Sequence, residues 1–419
     1  MNDAVTSSRS EHRQVAIIGA GPSGAVAASL LKQQGIDAIV LEKQQFPRFS
    51  IGESLLPCCM SVLAEAGMLD AVNKAGFQFK NGATFNLHER ETAFHFEDKF
   101  SDGPGTTFQV PRAQFDKLLA DTAAEQGCEI RYGHTVIAVD VSGTPTLQVL
   151  DEQGQHYQLQ ADFLLDASGF GRVLPRLLNL EQPSCLPARR AVFTHVADNI
   201  SDTTFDRNKI MIAVHPEHKD IWFWLIPFSN GTSSLGVVGL PEQLEQTDLQ
   251  QQLLDMVAQQ PRLQQLLANA KIIRDCGVIN GYSANVSSLA GDNYALLGNA
   301  GEFLDPVFSS GVTIALQSAK FASDCIAKHY QGQPLDWQKD YCQPLMVGVE
   351  AFRTYVEAWY DGRFQEVIFF EQANPDIRRM LCSILAGYAW DTHNPYVKDA
   401  KRRLNTLVEL CREMTQDIA

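Results

Sequence analysis

Val15-Ala16-Ile17-Ile18-Gly19-Ala20-Gly21-Pro22-Ser23-Gly24 passes from a short apolar, β-branched run into a glycine-rich turn, and an alanine-rich stretch, residues 25–34, follows before Gly35. A second apolar run, residues 37–41, then ends at Glu42. The order is strand, glycine turn, helix, strand, acid. In a dinucleotide-binding fold the first glycine permits the tight turn, the second lets the backbone approach a pyrophosphate, and the third lets helix pack on strand. The helix N-terminus then faces the phosphates and the acid accepts the ribose hydroxyls. A glycine pattern alone is weak; here the strand, the helix and the acid eighteen residues after Gly24 all stand where that mechanism needs them.

Further pieces of the same layer are spread along the chain. Residues 113–126 read as a helix, 136–141 as a strand, and 147–157 as a hairpin-like pair; Phe163-Leu164-Leu165 runs into Asp166-Ala167-Ser168-Gly169. Residues 294–297 form a strand entering Gly298-Asn299-Ala300-Gly301, and 312–328 a helix. Strand-like runs at 191–195, 209–214, 221–226 and 234–238 predict an antiparallel sheet. Apolar residues at helical spacing over 345–360, 377–386 and 396–415 predict a helical end. The expected organisation is an α/β (α+β) chain. Residues 12–85, 105–178 and 272–332 make a discontinuous Rossmann-like domain, 86–104 and 179–271 an antiparallel-sheet substrate domain, and 333–419 a C-terminal helical region.

Length and charge bound what such a chain can do. At 419 residues it predicts two to three structural units, and 45% hydrophobic with 20% charged residues is the composition of a globular protein. Lys and Arg number 34 against 49 Asp and Glu, and a formal charge of −15 repels phosphate backbones, so nucleic acid is excluded as a partner. Nine cysteines without a C-x-x-C pair point to reduced thiols and no metal site. The first fourteen residues, MNDAVTSSRSEHRQ, carry charges and no apolar run, unlike a secretory signal. No stretch approaches the ~18 apolar residues of a membrane span. A cytoplasmic protein is expected.

The glycine turn, Arg112 in VPRAQFDKLL, Asp166-Ala167-Ser168-Gly169, and a late Gly-x-Ala before Asp305-Pro306 resemble the FAD monooxygenases built like p-hydroxybenzoate hydroxylase. Within that group three features resemble the flavin-dependent halogenases: Pro47-Arg48-Phe49-Ser50-Ile51-Gly52-Glu53-Ser54, similar to a strap beside the flavin; Lys80 in GFQFKNGATF, in the register of a catalytic lysine; and Trp222-Phe223-Trp224-Leu225-Ile226-Pro227, which matches WxWxIP throughout. The resemblance implies FAD held by Gly19, Gly21, Ser23, Gly24, Glu42 and Lys43, by Arg48, Ile51, Gly52, Glu53 and Ser54 of the strap, by Arg112 and Asp166, and by Asn299, Asp305, Pro306, Gly311 and Val312. It implies chloride or bromide on the amides of Ser310 and Gly311, at the start of a helix whose N–H groups suit an anion.

It further implies that reduced FAD from a separate reductase, oxygen and halide yield hypohalous acid. Lys80 would receive that oxidant, since an ammonium can hydrogen-bond it and a neutral amine can form a haloamine. Read without the resemblance, Lys80 is an ordinary solvated lysine. Trp222 and Trp224, two apart on a strand, share a face and form a wall that keeps substrate from the flavin; a core strand accounts for them equally, because the run is apolar on both faces.

Two departures bear on substrate and cofactor. Phe308 stands where tryptophan halogenases have glutamate, and the chain is shorter than those enzymes at the C-terminus, which points away from free tryptophan and toward a phenol or pyrrole, free or loaded on a carrier protein. Asn299 stands where most of the FAD group has aspartate; it can still hydrogen-bond the cofactor, with one negative charge fewer. An FAD-dependent aromatic monooxygenase or dehydrogenase without halide chemistry is the alternative, and a flavin-binding relic acting as a partner subunit is a third reading.

Overall fold

The computed structural model describes residues 10–416. Its principal elements begin with β1 (Ser10–Ile18), α1 (Pro22–Gln33), β2 (Ala38–Glu42), β3 (Gln78–Lys80), β4 (Gly82–Leu87), β5 (Arg90–His95) and β6 (Thr107–Gln109). Next come α2 (Arg112–Glu125), β7 (Glu129–Tyr132), β8 (Thr135–Asp140), β9 (Thr146–Leu150), β10 (His156–Asp166), β11 (Arg190–Ala197), β12 (Lys209–Val214), β13 (Trp222–Pro227) and β14 (Thr232–Gly239). The remainder is α3 (Leu249–Ala258), α4 (Pro261–Leu266), β15 (Gly277–Asn280), β16 (Tyr294–Leu296), α5 (Ser310–Tyr330), α6 (Gln343–Tyr360), α7 (Pro375–Leu385) and α8 (Ala400–Gln416). The first fourteen residues, read as lacking a secretory signal, include residues 1–9, which lie outside the described residues.

The first sheet runs β16-β10-β1-β2-β7 with parallel pairing throughout, and β9 and β8 extend it antiparallel from β10. Parallel strands are covered on both faces, which is why Val15, Ala16 and Ile17 form an unbroken apolar run and are all fully buried. Val15 pairs with both Ala38 and Phe163, and Ile18 with Asp166, so the glycine turn and Ala167-Ser168-Gly169 leave the sheet side by side. The approach there is close. A Cβ at Gly19, whose φ is +100°, would stand 2.7 Å from the Ala167 carbonyl oxygen, and one at Gly24 would stand 1.9 Å from the Gly19 oxygen.

The second sheet runs β11-β14-β13-β12-β4-β5, with β15 added at β11. It departs from the expected organisation in three ways. One pairing, β12 with β4 (Lys209 opposite Gly82), is parallel. The division drawn between residues 85 and 86 falls inside β4, so this sheet takes all of Gly82–Leu87. The end drawn at residue 271 is too early, because β15 still pairs with β11. In the helical end, the stretch read as 396–415 is broken at Asp399 into Pro395–Lys398 and α8.

The double-sided apolar character of β13 has a plain cause. Trp222, Trp224 and Ile226 join the main core with Phe85, Phe193 and the C-terminal Trp359, whereas Phe223 and Leu225 pack beneath α3 and α4 against Leu253, Val257 and Leu263. The strand is covered on both sides, and periodicity alone carries no face information in such a strand. Among the described residues no helix is long and apolar enough to cross a membrane, and no group of three or more His, Cys, Asp or Glu could hold a metal ion.

The glycine contacts give a direct test. Gly24→Ala should lower the thermal midpoint severely, by the equivalent of about 1–3 kcal/mol or more, because backbone rather than a flexible side chain stands in the way. Gly35→Ala, at φ +74° with nothing within 4 Å, should cost only about 1 kcal/mol. Equal melting of the two variants would remove the close approach as the reason for the glycine.

Candidate active site

Between the two sheets lies a cavity of about 470 Å³. Its wall includes the glycine turn (Gly19, Gly21, Ser23), Glu42 and Lys43 after β2, the strap residues Arg48, Ile51, Gly52, Glu53 and Ser54, Arg112, both tryptophans, Asn299, and Pro306, Gly311 and Val312. Several groups there are prepared for a ligand the chain itself does not supply. Gly21, the N-cap of α1, provides no side-chain cap, and a Cβ on it would meet only the Arg48 guanidinium at 3.4 Å. Asn299 Oδ1 is buried without a hydrogen-bond partner. Glu42 is buried and accepts from Ala20 N and Gln44 N, both at 2.8 Å, which fixes its carboxylate at the end of β2 with lone pairs to spare. An open backbone cradle, an uncapped helix start, an oriented carboxylate and an orphan acceptor fit a dinucleotide.

The strap is clasped from both sides. Arg112 donates to both carboxylate oxygens of Asp116, at 2.7 and 3.0 Å, and to the Ile51 carbonyl at 2.6 Å; Arg48 reaches the same carboxylate at 3.1 Å. From the second sheet, His195 Nε2 lies 2.8 Å from Glu53 Oε1, and Phe49 stacks on Phe193 and lies under the Arg274 guanidinium, 3.4 Å from its ring centroid.

Five expected site residues do not line the cavity: Gly24, Lys80, Asp166, Asp305 and Ser310. Gly24 serves packing. Asp166 is fully buried and accepts from Ser168 N and Leu174 N at 2.9 and 2.6 Å, so it shapes the turn while Ala167, Ser168 and Gly169 face the cavity; burial raises its pKa. Asp305 likewise works behind the wall, accepting from Val307 N at 3.0 Å, Tyr360 Oη at 2.7 Å and Tyr282 Oη at 3.1 Å. Burial pushes its carboxyl up to about 6 against those donors. That carboxylate caps the turn Pro306–Phe308, which ends at Ser309 in the left-handed region (φ 56°) and delivers the start of α5, where no side chain caps the first N–H groups.

Lys80 is completely buried. Its Nζ donates to Ser54 Oγ at 2.8 Å and to the Leu55 carbonyl at 2.7 Å, and faces the Phe96 ring at 5.2 Å. Burial pushes its pKa down to about 7, with Cys59 opposing the shift. Two acceptors match the two N–H bonds of a neutral amine and leave its lone pair free. The tryptophans stand as expected on one face, ring centroids 5.9 Å apart. Trp222 Nε1 donates to Tyr360 Oη at 2.9 Å and Trp224 Nε1 to Ser234 Oγ at 3.0 Å. Gly236 makes room for the second indole, since a Cβ there would lie 2.3 Å from its ring.

Phe49, read as part of the strap though given no role of its own, lines the wall; sequence reasoning missed His134, Phe170, Phe303 and Ser309 there, and Tyr282 and Tyr360 behind it. Only Ser309, between the Asp-Pro pair and the helix, had a local signal.

A family model described as an FAD binding domain matches residues 12–340. The chain belongs to the FAD-binding domain family. Among curated proteins this FAD-binding chain is 27% identical over 430 residues to a 1H-pyrrole-2-carbonyl-[peptidyl-carrier protein] chlorinase of Pseudomonas fluorescens, covering 94% of this chain and 93% of that one. It is 27% identical over 399 residues to the corresponding brominase of Pseudoalteromonas luteoviolacea, covering 90% and 92%. Among solved structures, a flavoprotein/dehydrogenase of Cytophaga hutchinsonii aligns at TM-score 0.93 with 41% identity, over 97% of this chain and all of that one. The flavin-dependent brominase Bmp2 aligns at TM-score 0.82 with 26% identity over 96% and 100%. The resemblance to flavin-dependent halogenases read from the strap, the lysine and WxWxIP is thus matched along nearly the whole chain.

Gly21→Val isolates the cofactor contact. Only the end of a flexible arginine opposes the new side chain, so the fold should persist while the pyrophosphate is kept away. FAD binding, followed by flavin absorbance after gel filtration, should be lost; a variant retaining one tightly held FAD per chain would place the phosphates elsewhere.

Proposed function

We propose that this chain is an FAD-dependent halogenase acting on an electron-rich aromatic, a phenol or a pyrrole, with carrier-loaded substrates first in line. The observation that carries the reading is Lys80: a fully buried lysine, held with its amine pKa near 7, bonded to a serine of the flavin strap. A buried cationic group without a counter-charge is costly, and a merely structural position would be served better by an apolar residue. Bound FAD, once reduced by a separate reductase, supplies the oxygen activation that turns halide into hypohalous acid. The uncapped amides at the start of α5 hold chloride or bromide at the cavity wall. Trp222 and Trp224 line the cavity and share the main core with Phe85, Phe308 and Trp359, and their volume keeps an organic substrate from the flavin. Ser54 lines the cavity and accepts from Lys80, and the oxidant is handed to the amine at that contact. The carrier-linked pyrrole of the two curated relatives supports the substrate class.

Lys80→Met keeps the volume and removes the amine. It should bind FAD and oxidise reduced FAD at the wild-type rate, yet form no halogenated product; undiminished halogenation would contradict the reading. An independent sign comes from stability. The folded-state pKa lies below the value of about 10.5 for an exposed lysine, so losing the proton favours folding. The Lys80 contribution to stability should therefore be lowest below about pH 7 and rise between pH 7 and 10.5, so the stability difference between wild type and Lys80→Met should shift in favour of wild type over that range when urea midpoints are followed with pH.

A further inference from the structure

We propose that Tyr360 is a positioning residue: its hydroxyl joins the indole N–H of Trp222 to the carboxylate of Asp305, so that the tryptophan wall and the turn opening α5 move as one body. The proposal rests on the reading of that turn as the halide site only for its bromide arm. Three elements distant in sequence meet here. Tyr360 is the last residue of α6, Trp222 the first of β13, and Asp305 stands five residues before the start of α5. Trp222 Nε1 donates to Tyr360 Oη at 2.9 Å, and Tyr360 Oη donates onward to Asp305 Oδ2 at 2.7 Å. Asp305 Oδ1 accepts from Val307 N, so the carboxylate that Tyr360 grips is the one that shapes Pro306–Phe308 and sets up the left-handed Ser309. Trp222 and Asp305 are 1% and 2% exposed.

The tyrosine ring is itself fixed. The Arg189 guanidinium lies over it at 3.7 Å and is anchored in turn on Asp220 at 3.4 Å. Tyr282 also donates to Asp305, at 3.1 Å, but it sits beside Phe303 in the same segment as the turn and makes no bond to the wall. Tyr360 is thus the member of the network that spans from wall to turn. Loss of its hydroxyl leaves the buried indole N–H without that acceptor and frees Asp305 to follow the turn alone.

A matched control lies on the same helix. Tyr355 is fully buried and donates to the Tyr396 carbonyl at 2.8 Å, a hydrogen bond to neither the wall nor the turn, although its ring packs on Phe364, which packs on Phe308. Tyr355→Phe deletes one buried hydrogen bond and Tyr360→Phe two, so both should lower the thermal midpoint of the FAD-loaded chain, Tyr360→Phe by more. Only Tyr360→Phe should speed hydrogen exchange of amides 307–312, by about tenfold, and raise the KM for bromide, by about fivefold, with little change in kcat. Unchanged exchange over 307–312 in Tyr360→Phe, or equal acceleration in both variants, would overturn the coupling. If the wild type forms product without regard to bromide, the halogenase reading falls while the exchange comparison still decides the role of Tyr360.

Discussion

Five consecutive residues, Ile51 to Leu55, join Arg112, His195 and Lys80, and the buried Arg112–Asp116 pair anchors them at the Ile51 carbonyl. Arg112 spends its guanidinium on Asp116 and on the Ile51 carbonyl, so the cation meets a carboxylate on one side and the strap backbone on the other. From that anchor the chain meets the second sheet at Glu53 and His195, then places Ser54 and Leu55 as the two acceptors of Lys80. Removing one partner of such a buried pair costs about 3–5 kcal/mol, and here the same loss would release the strap from the flavin side. Cavity shape, lysine protonation and the spacing of the two sheets thus share one support.

The parts legible in the sequence are those whose requirements are local. Gly19 and Gly24 must be glycines because of a φ angle and backbone contacts within a few residues or across one strand pair, Gly21 keeps the backbone open toward the cavity, and the flanking strand and helix announce all three. Trp222 and Trp224 share a face by strand geometry alone. What covers that face could not be read, because both sides of β13 are buried and the pattern carries no phase. Lys80 illustrates the other limit: its residue type is ordinary, and its meaning comes from burial against Ser54 and Leu55, twenty-six and twenty-five residues away. Asp166 and Asp305 were expected to touch the cofactor because the resemblance to FAD monooxygenases implied it; both accept backbone amides and hold the turns that face the cavity. Tyr360 had no local signal, since its two partners lie 138 and 55 residues away.

The resulting division of labour is a physical one. In the proposed reading, backbone amides and one orphan amide oxygen serve the cofactor, an uncapped helix start serves an anion, and indoles supply bulk rather than reactivity. The Lys80 amine, proposed to accept the electrophilic halogen, is kept out of the cavity wall and bonded to the strap serine that lines it. Burial that would be a defect for a structural lysine is what makes this amine available near neutral pH.

The measurement that bears most directly on this reading is product formed per reduced FAD oxidised by the wild-type chain, with a simple phenol and with a pyrrole loaded on a carrier protein, in the presence and absence of bromide or chloride. Product carrying the added halogen, formed only when halide is present, is expected for at least one of the two substrates. A hydroxylated aromatic formed at the same yield with halide omitted would contradict the assignment and identify a monooxygenase on this fold.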